Sequence, residues 1–226
     1  MENITMRESP QHSPRVANLP VREEMDLGES RGKLLQRGAW GKADILLVES
    51  PVGKAIVKDF SRKLFPVRWY GRWQIRREAS IYRRLAGVPG VPKYFGRIGK
   101  NAIAIEYIEG ERISHWKRRE LPPALFARLW TLIESIHARG IVHIDLRKRD
   151  NILIDSRGEV FIIDFNASFR FPPGSRGARW ILPALRRIDH FGFLKWKAAL
   201  APSQLSEAER SAFRRMSFLR RFWIFK

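Results

Sequence analysis

The stretch that decides the fold is His143-Ile144-Asp145-Leu146-Arg147-Lys148-Arg149-Asp150-Asn151, running straight into Ile152-Leu153-Ile154-Asp155 and followed by Phe161-Ile162-Ile163-Asp164-Phe165-Asn166. Ile152–Ile154 and Val160–Ile163 are short apolar runs that bracket Ser156-Arg157-Gly158, so they read as a hairpin of two brief strands. Two carboxylates and an amide (Asp145, Asp164 and Asn151) stand at the ends of these runs. An Asp at a strand end often only forms a turn. The apolar run ahead of Asp164 favours a carboxylate facing a metal ion instead.

Working outward toward the N-terminus, Ile45–Val48 and Ala55–Phe60 flank Ser50-Pro51-Val52-Gly53 and predict a second hairpin. Residues 72–85 carry Trp73, Ile75, Ala79, Tyr82 and Leu85 at helical spacing, ended by Gly87 and Pro89. Two strands follow, Lys93–Arg97 and Ala102–Tyr107, closing at Gly110. A helix begins near Pro122, its stripe Leu125, Leu129, Leu132, Ile133 and Ile136 ending at Gly140. Beyond the hairpin the chain reads as helical with a break at Pro202. Ser206-x-x-Glu209 is a capping box opening a last helix. There Leu205, Ala212, Met216, Leu219 and Trp223 oppose Arg210, Arg214, Arg215, Arg220 and Arg221. That basic amphipathic pattern fits lying in a membrane interface or docking on the domain. Residues 1–30, rich in Glu, Pro, Ser and Asn, predict a mobile tail. No repeat with a period of about 20–50 residues is present.

Composition sets the outer limits. A chain of 226 residues with 44% hydrophobic and 12% aromatic residues can bury a core, which excludes wholesale disorder. It has no cysteine, so disulfides, thiolate metal sites and cysteine nucleophiles are excluded. The polar N-terminus and the lack of an apolar run of about 18–20 residues predict a cytoplasmic protein, at most peripheral at the inner face of a membrane. The net charge is +20, and residues 1–30 hold six acids and three bases, which leaves +23 on the rest. Such a surface attracts polyanions, although plain solubility also explains it. Trp69, Trp73, Trp116, Trp180, Trp196 and Trp223 each lie within two positions of a base. That interleaving suits membranes and nucleic acids alike.

The order of these elements resembles the protein-kinase-like fold over roughly residues 34–195, most of all its small bacterial members, the RIO-type and lipopolysaccharide-core kinases. The resemblance implies an α+β architecture of two lobes. A small antiparallel sheet with one helix would occupy residues 31–108, and a reduced helical, catalytic lobe residues 109–201. Residues 202–226 would form the basic terminal helix. Gly38-Ala39-Trp40-Gly41-Lys42-Ala43 resembles the second half of a glycine-rich loop, with Gln36 where the first glycine is expected. Gly38 and Gly41 would let backbone amides approach phosphate while Trp40 caps it. A plain β-turn explains this stretch as well. Ala55-Ile56-Val57-Lys58 resembles the strand whose lysine contacts phosphates, and Glu78 its helix partner; an exposed Glu among arginines is the alternative. Ile105-Glu106-Tyr107-Ile108 resembles the hinge, where adenine would meet backbone near Glu106 and Ile108.

In the same resemblance Asp145 takes the proton of an attacking hydroxyl, and Arg147 stands for the loop lysine near the γ-phosphate. Asn151 and Asp164 hold Mg²⁺ on ATP. Ile144 replaces the usual arginine, which implies activity not gated by a phosphorylated activation loop. Asp145 to Asn151 is six steps where the family has five, and no Ala-Pro-Glu follows Asp164-Phe165-Asn166. Asp189 resembles the buried helix aspartate that braces the catalytic loop, with a helix N-cap as the alternative. The implied activity is phosphoryl transfer to a hydroxyl of a serine/threonine-type protein acceptor. Its rivals are a lipopolysaccharide-core sugar kinase with a glycolipid acceptor and an inactive scaffold binding nucleotide or polyanion. An anionic membrane surface would be met through the C-terminal helix; nucleic acid is not favoured.

Overall fold

Alternating apolar residues and two tight turns build an antiparallel sheet first. The computed structural model describes residues 32–50, 53–116, 121–171 and 176–221. The expected tail at 1–30 and the C-terminal end from residue 222, Trp223 included, lie outside the described residues. Strands β1 (Lys33–Gln36), β2 (Asp44–Ser50), β3 (Gly53–Asp59), β4 (Tyr94–Ile98) and β5 (Ala102–Glu106) pair in the order β1-β2-β3-β5-β4. The β3–β5 register sets Lys58 opposite Ile103 and Val57 opposite Ala104. Successive strand residues face opposite sides. Val57 and Ala104 therefore fall in a small cluster on one face, while Ile103 and Ile105 join the main core.

Between β3 and β4 the chain forms α1 (Phe65–Arg84). It starts at Phe65 rather than at residue 72 as the periodicity predicts. Pro66 sits in the first turn, where its missing N–H costs nothing. Phe65, Trp69 and Trp73 face outward and hide the stripe in sequence. The buried face is Val67, Gly71, Ile75, Glu78, Ala79, Ile81 and Tyr82, so Trp73 leaves the predicted core set. Gly71 has a packing reason: a Cβ there would lie 2.3 Å from the buried Phe60 ring. The helix therefore presses against the end of β3, which fixes its rotation and the height of Glu78.

After Glu106 the chain crosses to a second group of elements. These are β6 (Gly110–Arg112), α2 (Pro123–Ala138), β7 (Ile141–Val142), β8 (Ile152–Asp155), β9 (Val160–Ile162), β10 (Phe169–Arg170), α3 (Arg176–Leu200) and α4 (Glu207–Arg221). β6, β8 and β9 form one small sheet, and β7 pairs with β10. The Asp155 carboxylate closes the β8–β9 turn by accepting from the Arg157 and Glu159 amides at 2.9 and 2.8 Å. One continuous apolar core joins α1 and the large sheet to the α2 stripe, Ile152, Ile162, Phe165, Phe193 and Trp196. Each such large side chain contributes about 1.5–3 kcal/mol by leaving water.

The capping box at α4 forms in both directions: the Ser206 amide donates to Glu209 Oε2 at 2.8 Å, and the Glu209 amide to Ser206 Oγ at 3.2 Å. Part of its apolar stripe packs against the rest of the domain. Lys197 Nζ of α3 donates to Glu209 at 2.7 Å, Phe213 stacks on Phe191 at 5.6 Å, and Leu205, Ala212 and Met216 pack on the core. The described part of this helix docks on α3, in line with the docking alternative, while the Leu219 and Trp223 side chains of the expected membrane-facing stripe lie outside what is described. No helix among the described residues is long and apolar enough to cross a membrane.

Candidate active site

Lys58 lies on β3 and Glu78 on the buried face of α1. Lys58 Nζ donates to Glu78 Oε1 at 2.6 Å and to Asp164 Oδ1 at 2.9 Å. Burial works to discharge the Lys58 ammonium, but the Glu78 and Asp164 carboxylates outweigh it and hold the amine above its ordinary range. Lys58 in turn holds the Asp164 carboxyl below its usual range. Burial pushes Glu78 upward, against the pull of Lys58. One cation with two carboxylates leaves a net negative charge in the cleft, which suits a further cation at Asp164.

The β8–β9 hairpin positions the metal-type donors. Ile152 pairs with Ile162, and the Ile163 amide donates to the Asn151 carbonyl at 2.9 Å. Asn151 and Ile163 thus face each other at the open end of the hairpin, and Asp164 follows immediately. Asn151 Nδ2 donates to the Asp145 carbonyl at 3.0 Å, which ties the lengthened loop at both ends and leaves the amide oxygen for a cation. Asp164 has φ +64° and ψ +71°, a left-handed conformation that Asp tolerates better than most residues.

The loop itself is braced from α3. Asp189, almost fully buried, accepts from the His143 amide at 2.8 Å, the Ile144 amide at 2.7 Å and His137 Nε2 at 2.9 Å. It lies inside α3, so the N-cap alternative falls. Gly192, one turn on, lets α3 come close: a Cβ there would stand 2.9 Å from Leu146 Cβ. Trp196 Nε1 donates to the Leu146 carbonyl at 2.9 Å and Lys195 Nζ to the Arg147 carbonyl at 2.6 Å. Burial lowers the His143 pKa, so its neutral ring donates from Nε2 to the Ile163 carbonyl at 3.0 Å and accepts from the Asp145 amide at Nδ1. Ile144 carries φ +59°, a strained position for a β-branched residue. Two anchors on Asp189 hold it there.

Other expected residues separate from this group or change role. The Asp145 carboxylate is paired with Lys148, whereas Arg147 is anchored through its carbonyl, so the cation recorded at Asp145 is Lys148. Trp40 is 87% exposed at the tip of the β1–β2 turn and covers nothing. Gly38 and Gly41 are in that turn, Gly41 at φ +78°. The Glu106 amide donates to the Lys93 carbonyl at 2.8 Å, closing β5 at the point where the chain crosses over; Ile108 follows, half-buried.

Three residues escape the sequence reading. Asp44 accepts from the Gly38 amide at 2.9 Å and Lys63 Nζ at 2.7 Å, and Lys63 also donates to the Gly38 carbonyl at 2.8 Å, so the pair braces the turn. Arg77, beside Glu78, donates to the Asn166 carbonyl at 3.2 Å and to the Ser168 carbonyl, tying α1 to the segment after Asp164. Only the position of Arg77 next to the candidate Glu gives a hint in sequence. A hollow of about 990 Å³ between α2, α3 and α4 is lined by Trp130, Phe193 and Met216, among others, and includes neither Lys58 nor Asp164.

No protein-family model matches the chain. Curated proteins do. A probable cAMP-dependent protein kinase catalytic subunit of Encephalitozoon cuniculi is 32% identical over 148 residues, 60% of this chain and 45% of that protein. CBL-interacting serine/threonine-protein kinase 20 of Arabidopsis thaliana is 31% identical over 148 residues, 61% of this chain and 32% of that protein. Casein kinase I homolog 2 of Saccharomyces cerevisiae is 31% identical over 112 residues, 43% of this chain and 20% of that protein. Over part of its length the chain is thus similar to protein kinases, and it matches less than half the length of each of these relatives.

Proposed function

We propose that the chain is an ATP-dependent phosphotransferase that moves the γ-phosphoryl group to a hydroxyl, acting as a serine/threonine-type protein kinase. The observation that carries this reading is the double ion pair of Lys58 with Glu78 and Asp164. It supports a cleft already set to receive a polyphosphate. Lys58 binds phosphate oxygens, and Glu78 keeps its ammonium aimed into the cleft. Asp164 and the free oxygen of Asn151 fit Mg²⁺, a hard cation that takes carboxylate and amide oxygens. When bound, the ion neutralises phosphate charge. Asp145 accepts the proton of the acceptor hydroxyl as the bond from oxygen to the γ-phosphorus forms and the β–γ bridge breaks. Lys148 pairs with Asp145, and Arg147 stands beside it in the same loop to meet the γ-phosphate. Backbone near Glu106 and Ile108 would meet adenine, and Gly38 and Gly41 would face phosphate across the braced turn.

The relatives speak for a protein acceptor. A glycolipid hydroxyl is the second reading, favoured by the exposed Trp and Arg side chains of α1. With labelled ATP and Mg²⁺ the wild type labels itself, a protein or a glycolipid, and Asp145→Asn lowers the rate by about 10²–10⁴-fold, the scale of a general base. Lys58→Met weakens ATP handling. Equal labelling by wild type and Asp145→Asn removes Asp145 from the chemistry, and ATP binding with no transfer returns the chain to the scaffold reading.

A further inference from the structure

The outward face of α1 is not built for water. A surface helix normally turns charge outward and apolar residues inward. Here Leu64, Phe65, Trp69 and Trp73 are 78%, 68%, 67% and 53% exposed. The last three stand four residues apart and share one face. From Leu64 to Trp73 the stripe is about 14 Å long at ~1.5 Å per residue. Tyr70 stacks on Trp73 at 5.9 Å, and Arg77 lies between the Trp73 and Phe169 rings at 5.4 and 5.6 Å, which extends the patch past the helix. These side chains cannot be hidden by rolling the helix. Gly71 is wedged on Phe60, and Glu78 is held by Lys58.

The charges on the same helix select the partner. Arg76 is exposed beside the aromatics, the half-buried Arg68 and Arg72 flank them with Arg72 Nε donating to Asn101 Oδ1 at 2.9 Å, and Glu78 is the helix's one acid, buried and paired. Bulky aromatics at headgroup depth among bases are the composition of a surface that binds an anionic bilayer. A protein partner of the same shape would have to be acidic and apolar at once; a leaflet with anionic headgroups over acyl chains supplies both. We propose that the Phe65–Trp69–Trp73 face of α1 docks the protein on an anionic lipid surface. It is separate from the C-terminal helix, part of whose apolar stripe packs on the domain, and it does not depend on phosphotransfer.

Co-sedimentation with vesicles of phosphatidylglycerol and phosphatidylcholine in equal parts tests it, with pure phosphatidylcholine as the comparison. The wild type and Asp145→Asn bind the anionic vesicles alike, and binding weakens as salt rises. Phe65→Ser/Trp69→Ser lowers the partition coefficient on the order of tenfold, and Arg76→Glu lowers it on anionic vesicles alone. Each of these side chains is exposed, so thermal melting stays near wild type. Arg214→Glu, on the solvent side of α4, leaves binding unchanged. The proposal falls if the double variant binds as well as wild type, or if Arg214→Glu abolishes binding. It also falls if the wild type ignores vesicles and instead forms dimers that Phe65→Ser/Trp69→Ser dissolves, which would give the face to a second copy.

Discussion

Lys58 is shared by two carboxylates of unequal exposure, and the difference sets how the site responds to acid. Asp164 has its carboxyl held low by Lys58, so its pairing stabilises the fold above the ordinary Asp value of about 4 and is lost as pH falls through the lowered value. The stability advantage of wild type over Asp164→Asn is therefore present at neutral pH and shrinks on acidification below about pH 4. Denaturant midpoints measured across that range check it; a constant difference removes the ionised pair. Glu78 has the opposite direction and is buried with Lys58, so Lys58→Met leaves a buried acid without its partner. That loss costs about 3–5 kcal/mol if Glu78 stays charged, and less if it takes up a proton. At this scale the sequence told much. Asn151 and Asp164 were legible at the ends of apolar runs, and Lys58 and Glu78 through the resemblance of their strand and helix to the kinase-like pattern. Asp44, Lys63 and Arg77 were not, because a backbone-bracing side chain has no periodic signature.

At the scale of elements, Gly71 and Gly192 show what patterns leave out. Replacing a helix glycine by alanine ordinarily stabilises by about 1 kcal/mol. At Gly71 the new methyl would overlap the Phe60 ring, an overpacking cost of about 1–3 kcal/mol. Gly71→Ala thus lowers the melting temperature and, by pushing α1 away from β3, weakens ATP binding through Glu78. A melting curve with an ATP titration checks this, and a more stable variant with normal affinity would sink it. The same helix explains the misplaced start of α1. Outward aromatics read as core in any count of apolar residues, and only the packing of Gly71 on Phe60 shows which face is inside. β6, β7 and β10 are two or three residues long, below the reach of an alternating pattern. They exist because β8 offers a partner to β6 and because β7 and β10 pair with each other.

For the whole molecule, the main uncertainty in the sequence was where the C-terminal helix goes, since one amphipathic stripe fits a bilayer or a protein core equally well. Glu209 ties the described part to α3 by capping α4 and pairing with Lys197 at once. Glu209→Ala should cost about 0.5–2 kcal/mol, the range of a lost cap, and lower the melting temperature while leaving phosphotransfer unchanged. A variant with native melting would mean α4 is held by its apolar contacts alone. The molecule is thus two groups of elements on one core, with α1 touching both. Neighbouring residues of that helix, Arg77 and Glu78, hold the segment beyond the metal-type aspartate and the cleft lysine. A force applied to the helix from outside therefore cannot reach one anchor without reaching the other. Whatever settles on its aromatic side bears on both anchors at once, and a mutation there can disturb Lys58 and the segment after Asp164 without replacing either.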